Sequence, residues 1–253
     1  MSDLVRYSVQ NEVGIITVDN PPVNALSVGV REGIISALEQ GEQDTAAKAL
    51  VLVCSGRTFI AGADIKEFNQ APKEPSLDEV IRRLEDCAKP VIAAIHGTAL
   101  GGGLETALGC HYRVAVPSAK CGLPEVHLGI VPGAGGTQRL PRLIGVEHAL
   151  KMVASGTPIS AGEAHTLGLV DELVEGDLLE GALAFARRLI QENLGARRVR
   201  DLTIHSAGQE LFSKAREDFA RSKRGFDAPQ RAIDCVEIAT HTPMEEGLKK
   251  EKE

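Results

Sequence analysis

Apolar residues of β-forming type gather over residues 4–9 and again over 13–18, with Asn11-Glu12 between the two runs. Two short β-type runs separated by two turn-forming residues predict a hairpin, which Asn20-Pro21-Pro22 then ends. The period changes over residues 27–40. Val30, Ile34, Ala37 and Leu38 recur at helical spacing. Residues 49–54 form a compact apolar run of strand length, followed by a loop over 55–63. Asp64-Ile-Lys-Glu67 has the form of a helix start, with Asp64 capping and Glu67 reaching back. Residues 69–75 predict a polar, proline-containing loop.

Ser76-Leu-Asp-Glu79 repeats the capping signal for a helix that ends near Lys89-Pro90. A buried strand is expected over 91–96, then a glycine run and a helix, then a strand over 112–116. Helices are expected over 137–143 and 146–155, and another starts at Ser160-Ala-Gly-Glu163. A strand over 169–174 and a helix over 178–190 follow. Residues 191–253 are charged and helical in pattern, with no strand signal. Strands alternating with helices through residues 1–190 predict an α/β core with mostly parallel pairing. The C-terminal region of 191–253 is expected to pack on that core, on a partner subunit or on a following domain.

Composition narrows the class. The chain has 253 residues, 43% of them hydrophobic, no Trp and 3% aromatics, so its core is built from Val, Ile, Leu and Ala. A net charge of −7 argues against a broad nucleic-acid or anionic-membrane surface. Cys54, Cys87, Cys110, Cys121 and Cys235 are scattered, with no Cys-x-x-Cys pair, which points to free buried thiols. Cys110-His111 and Cys121 with His127 match no standard metal spacing. With no secretory leader pattern and no apolar run of membrane-spanning length, the expectation is a reduced, soluble, cytoplasmic protein.

The densest chemistry lies in Ile95-His-Gly-Thr-Ala-Leu-Gly-Gly-Gly-Leu-Glu105, taken with Gly122-Leu-Pro-Glu125. Glycines lead into a helix start with no Ser, Thr, Asn or Asp at the cap, so its first N–H groups are free for an anion or oxyanion. Glu105 follows within the first turn and Glu125 twenty residues later. Taken singly, each is ordinary: a loop, a solvated acid, a surface turn. Together, backbone donors and two carboxylates suit acid–base chemistry beside a carbonyl. Ala63, just before the Asp64 cap, offers a second donor from a separate helix start. No G-x-x-x-x-G-K-[ST] loop is present, Thr106 replaces the third glycine after Gly101 and Gly103, and Gly133-Ala-Gly-Gly136 also lacks dinucleotide spacing. A G-x-S-x-G elbow is missing as well.

Ala61-Gly-Ala-Asp-Ile65, His96 to Glu105, Gly122-Leu-Pro-Glu-Val126 and Leu128 to Leu140, with Ala161-Gly-Glu-Ala164 and Gly168-Leu-Val-Asp171, resemble the crotonase, or enoyl-coenzyme A (CoA) hydratase/isomerase, superfamily. The resemblance covers nearly the whole chain. It implies a spiral of repeated ββα units with a C-terminal helical region. It implies that Ala63 and Gly102 form an oxyanion hole and that Glu105 and Glu125 are the catalytic pair. Ala61, Asp64, Ile65 and Lys66 would bind substrate, Gly133 would help hold a water, and Lys66, or more weakly Arg57, would meet the CoA phosphates.

No metal or separate cofactor is implied, since CoA belongs to the acyl-CoA thioester substrate. The segment from Glu105 to Arg113 and the tail from Pro243 to Glu253 resemble the hydratase/isomerase half of multifunctional fatty-acid oxidation enzymes, where a 3-hydroxyacyl-CoA dehydrogenase follows. A standalone chain would be a homotrimer or hexamer. The alternatives are an isomerase without hydratase activity and a crotonase-fold RNA-binding or structural protein. Thr106 is more polar than the family's usual apolar residue there.

Overall fold

The computed structural model describes residues 4–67, 70–71, 73–204, 207–222 and 226–253, with the backbone alone for Ile65 and Ser222. Asn69 and Pro72, from the loop expected over 69–75, lie outside these. Strands β1 (Val5–Gln10) and β2 (Val13–Val18) pair antiparallel from Val5↔Val18 to Gln10↔Val13. Asn11 and Glu12 join them with φ of 51° and 65°, the left-handed pair that a tight hairpin turn demands. The sheet continues parallel through β3 (Ala49–Cys54), β4 (Val91–Ile95), β6 (Tyr112–Ala115) and the two-residue β9 (Glu172–Leu173).

The central strands are buried on both faces, which is why they read as unbroken apolar runs. Ile16, Val18, Leu50, Leu52, Val91, Ala93 and Ile95 face a core shared with helices α1 (Val28–Gln43), α2 (Leu77–Asp86) and α3 (Gly102–Gly109). Their neighbours Val13, Ile15, Ala49, Val51, Ile92 and Ala94 face the other way, under α7 (Leu178–Gln191). A second, three-stranded sheet stands beside the first: β5 (Thr98–Leu100), β7 (Lys120–Gly122) and β8 (Ile159–Ser160). The chain therefore turns twice through the same sequence. One turn is β4, β5 and α3; the next is β6, β7 and, after a 3-10 turn, α4 (Gly136–Ile144). This is the expected ββα spiral. The second sheet was not legible in the sequence, because its strands are only two or three residues long.

Three expectations need correction. The run 169–174 is a strand only at Glu172–Leu173. The N–H groups of Leu169 and Val170 turn back to Ala164 O, and Leu169 O accepts from Arg113 Nε at 2.6 Å. Its apolar residues are buried in a turn. α2 stops at Asp86, ahead of Lys89-Pro90, where Lys89 Nζ binds the carbonyls of Gly41 and Asp44 at 2.7 Å. Asp64 does bind the N–H of Lys66 at 3.0 Å, but only a 3-10 turn, Ile65–Glu67, follows. Glu67 does not reach back. It accepts from the N–H of Val28 at 2.8 Å and pairs with Arg31 at 2.8 Å, capping α1, whose own Ser27 makes no side-chain cap. Burial pushes that carboxyl up, but the Val28 and Arg31 contacts outweigh it and hold it below the usual range.

The helices α5 (Val146–Ser155), α6 (Ala161–Thr166), α8 (Gln209–Ser222), α9 (Ala228–Ala239) and α10 (Met244–Lys252) complete the chain. Ser76 and Ser160 cap α2 and α6 as their motifs predict, each accepting from the N–H three residues on at 3.2 Å. Of the three open settings for the C-terminal helices, α9 and α10 pack on the core: α9 lies against α4 and α5, and α10 against α9 and α4. Among the described residues no helix is long and apolar enough to cross a membrane.

Candidate active site

A cavity of about 350 Å³ opens where α3 begins. Gly101 enters it at φ +53°, a conformation that costs a glycine little. A side chain at Gly103 would run into the Ile60 carbonyl, so glycine there lets the helix start press against the 59–63 loop. That approach brings two backbone donors together. The Cβ position of Gly102 lies 3.5 Å from Ala63 N. The N–H groups of Ala63 and Gly102 carry no hydrogen bond among the described residues. They lie at the start of α3 and in a short parallel bridge that spends the N–H of Leu26, not that of Ala63.

Glu105 and Glu125 line the same cavity, as do Ala61, Ala63, Gly102 and Gly133. Their surroundings differ. Glu105 is 3% exposed, and its Oε1 accepts from the N–H groups of Ala134 at 2.8 Å and Gly136 at 2.9 Å. Burial pushes its carboxyl above the usual range, against those two donors and the charge of Arg139. Glu125 opens a 3-10 turn, Glu125–Leu128, and its Oε2 is buried without a partner. Burial, then the charge of Glu105, pushes it up to about 8. The pair differs in its hydrogen bonding: Glu105 Oε1 is set between two backbone donors, and Glu125 Oε2 has no partner, while burial raises both carboxyls.

Asp64 lies beside this cavity, in a smaller one of about 220 Å³ that shares Ala63 and Leu77. Ile65 and Lys66 continue into the 3-10 turn. The Lys66 side chain is exposed and lines neither cavity, and Arg57 is exposed on the loop after β3. Thr106, fully buried, donates its hydroxyl to Gly102 O one turn back at 2.8 Å, so the polar residue is satisfied inside its own helix.

His111 is fully buried and structural. Its Nδ1 accepts from Val91 N–H at 2.9 Å, Nε2 faces Glu85 O at 3.2 Å, and burial pushes its pKa down to about 4. Burial pushes the Cys110 and Cys121 thiols up to about 12, far from reactive thiolates. Among the described residues no His, Cys, Asp and Glu cluster could hold a metal ion.

Two residues missed by the sequence reading belong here. Asp78 lines the cavity and pairs with Lys252 of α10 at 2.8 Å; its place in a capping motif had accounted for it. Glu251, in a tail that reads as solvated charge, is 4% exposed. It binds the N–H groups of Gly135 at 2.6 Å and Thr137 at 3.1 Å, and burial and Glu105 push it up to about 8. The available signal was its helical spacing from Gly247, which marks one buried face on an otherwise charged helix.

Comparison with known proteins bears on the family and the fold. The enoyl-CoA hydratase/isomerase family matches residues 8–222. A peroxisomal bifunctional enzyme of Danio rerio is 44% identical over 99% of the chain, which spans 35% of that protein's length. A probable enoyl-CoA hydratase of Bacillus subtilis is 44% identical over 198 residues, 75% of this chain and 77% of the relative. The crystal structure of an enoyl-CoA hydratase from Bacillus anthracis superimposes with a TM-score of 0.64 at 30% identity, covering 99% of this chain and 88% of that one. The chain belongs to the enoyl-CoA hydratase/isomerase family.

Proposed function

We propose that this chain hydrates trans-2-enoyl-CoA to 3-hydroxyacyl-CoA in fatty-acid β-oxidation. The observation that carries the reading is the carboxylate pair on one cavity with two unspent N–H groups. The thioester oxygen sits between the N–H groups of Ala63 and Gly102, which stabilise the enolate as charge develops. Glu105 takes a proton from the water that attacks C3, and the backbone at Gly133 helps hold that water. Glu125, whose carboxyl burial and Glu105 raise, gives its proton to C2. Dehydration reverses both transfers, and each proton-transfer role contributes roughly 10²–10⁴-fold.

Moving a 3-enoyl double bond to the 2 position uses the same hole with Glu125 carrying the proton, and the family's description includes isomerases. Ala61, Asp64, Ile65 and Lys66 flank the CoA portion, with Lys66 nearest to the phosphates. In this reading residues 1–190 form the catalytic core and 191–253 the helical region. A fused 3-hydroxyacyl-CoA dehydrogenase fits the relatives that are much longer than this chain. A chain on its own would be a homotrimer or hexamer. The cytoplasmic setting inferred from the free thiols stands beside relatives named as peroxisomal.

Steady-state turnover of crotonyl-CoA and longer enoyl-CoA thioesters tests the reading. Formation of 3-hydroxyacyl-CoA supports it, and isomerisation of 3-enoyl-CoA with no hydration would replace it with the isomerase alternative.

A further inference from the structure

The four consecutive N–H groups at the start of α4 are shared between two carboxylates. Those of Ala134 and Gly136 go to Glu105 Oε1 at 2.8 and 2.9 Å. Those of Gly135 and Thr137 go to the two oxygens of Glu251 at 2.6 and 3.1 Å. The Thr137 hydroxyl also donates to Glu251, its acceptor side being occupied by Gln138 Nε2 at 2.8 Å. Gly135 is in the left-handed region at φ +93°, so this junction has a shape that its own chain does not favour strongly over others. Helix termini leave their first N–H groups without intrahelical partners. Here they are satisfied by one residue of the site and by one that is 114 and 116 positions away from its two backbone donors.

We propose that Glu251 is a positioning residue for Glu105: by clamping Gly135 and Thr137 it fixes the backbone whose Ala134 and Gly136 N–H groups aim the Glu105 carboxylate. It touches no substrate atom. The last helix thereby becomes part of the catalytic unit, seated by one buried carboxylate among an otherwise charged and exposed set. The proposal rests on the hydratase reading for its kinetic consequence and on geometry alone for its structural one.

Three variants separate positioning from packing. Glu251→Ala removes the clamp. Glu251→Gln keeps one acceptor oxygen and loses the other. Met244→Ala trims a half-buried side chain at the far end of the same helix and leaves the clamp residues unchanged. With crotonyl-CoA, Glu251→Ala is expected to lose about 10- to 100-fold in kcat with little change in KM, as a misplaced catalytic group does. Glu251→Gln should recover part of that loss, and Met244→Ala should lower the melting temperature while kcat stays near the parent value.

Amide hydrogen exchange reads the same point without turnover. In Glu251→Ala, protection should fall at Ala134 and Gly136, which Glu251 does not bind, as well as at Gly135 and Thr137. Unchanged kcat in folded Glu251→Ala, or exchange confined to Gly135 and Thr137, overturns the positioning role. Should Glu251→Ala fail to fold, the same two readouts on Glu251→Gln decide, with a smaller kcat loss and faster exchange at Ala134 and Gly136 expected. A wild-type enzyme that does not hydrate crotonyl-CoA refutes the hydratase reading instead, and the exchange pattern still decides the clamp.

Discussion

Replacing Glu125 by Gln should make the protein more stable at alkaline pH and nearly inactive. Glu125 is carried from 4.5 to about 8 by burial and by Glu105, and its Oε2 is buried with no partner. A group whose folded pKa is raised contributes stability that is complete below the unfolded value, here 4.5, and is lost as pH rises through 8. At about 1.4 kcal/mol per unit of pH, that loss is on the order of 5 kcal/mol across the window. Glutamine has the size of the protonated acid and no titration. The variant should therefore match the parent near pH 4.5 and exceed it progressively up to pH 8. Denaturant unfolding at several pH values measures the difference. Turnover, followed by loss of the conjugated enoyl-thioester absorbance, should fall about 10²–10⁴-fold because the proton donor is gone. A stability difference that does not grow between pH 4.5 and 8 would refute the account of Glu125 as a buried acid. Retained hydration would refute its role as donor.

Three other variants probe separate parts of the account. In Gly102→Val the new Cβ meets Leu77 Cδ2 at 2.9 Å and stands 3.5 Å from Ala63 N; turnover should fall on the order of 10²–10³-fold, and a destabilised protein whose folded fraction turns over normally would return Gly102 to a packing role. Arg139→Met takes from Glu85, which is 1% exposed, its guanidinium partner at 2.9 Å and leaves it the Arg200 N–H at 3.0 Å and the Arg200 guanidinium at 3.9 Å; the cost of about 3 kcal/mol should lower the melting temperature by roughly 10 °C, and an unchanged melting curve would show that the Arg139 pair holds nothing together. Lys66→Ala should raise KM for the CoA substrate with kcat unchanged, and an unaltered KM would remove Lys66 from the phosphate site.

The sequence carried the frame of the fold and the members of the cavity for different reasons. Apolar runs buried on both faces announce β2, β3 and β4, and the serine caps announce α2 and α6, because both signals are local. The second sheet is invisible since strands such as Ile159–Ser160 are too short to show a period. The run 169–174 misleads because Leu169 and Val170 are buried in a turn, where burial requires apolar residues without requiring a ladder. Glu67 illustrates a distant partner overriding a local motif: its capping spacing is real, yet Arg31 and the N–H of Val28 win it. Gly101, Gly102, Glu105 and Glu125 stand out by type and spacing, and the structure brings them to one cavity with Ala63. Glu251 stays hidden because nothing local distinguishes one buried glutamate from five other acidic or basic neighbours in the final helix. Only the donors of Gly135 and Thr137, far away in the chain, give it a reason to be inside.

The central claim is that two carboxylates on one cavity add water across an enoyl thioester, Glu105 activating the water and Glu125 protonating C2. Isotope transfer tests it most directly. The enzyme is incubated with crotonyl-CoA in water enriched in oxygen-18 and deuterium, and the product is analysed by mass and magnetic resonance. The account predicts 3-hydroxybutyryl-CoA with the heavy oxygen at C3 and deuterium at C2, and none above the uncatalysed background from the Glu105→Gln, Glu125→Gln double variant. Label in the product at an undiminished rate from that double variant, or no labelled product from the wild-type protein, would contradict it.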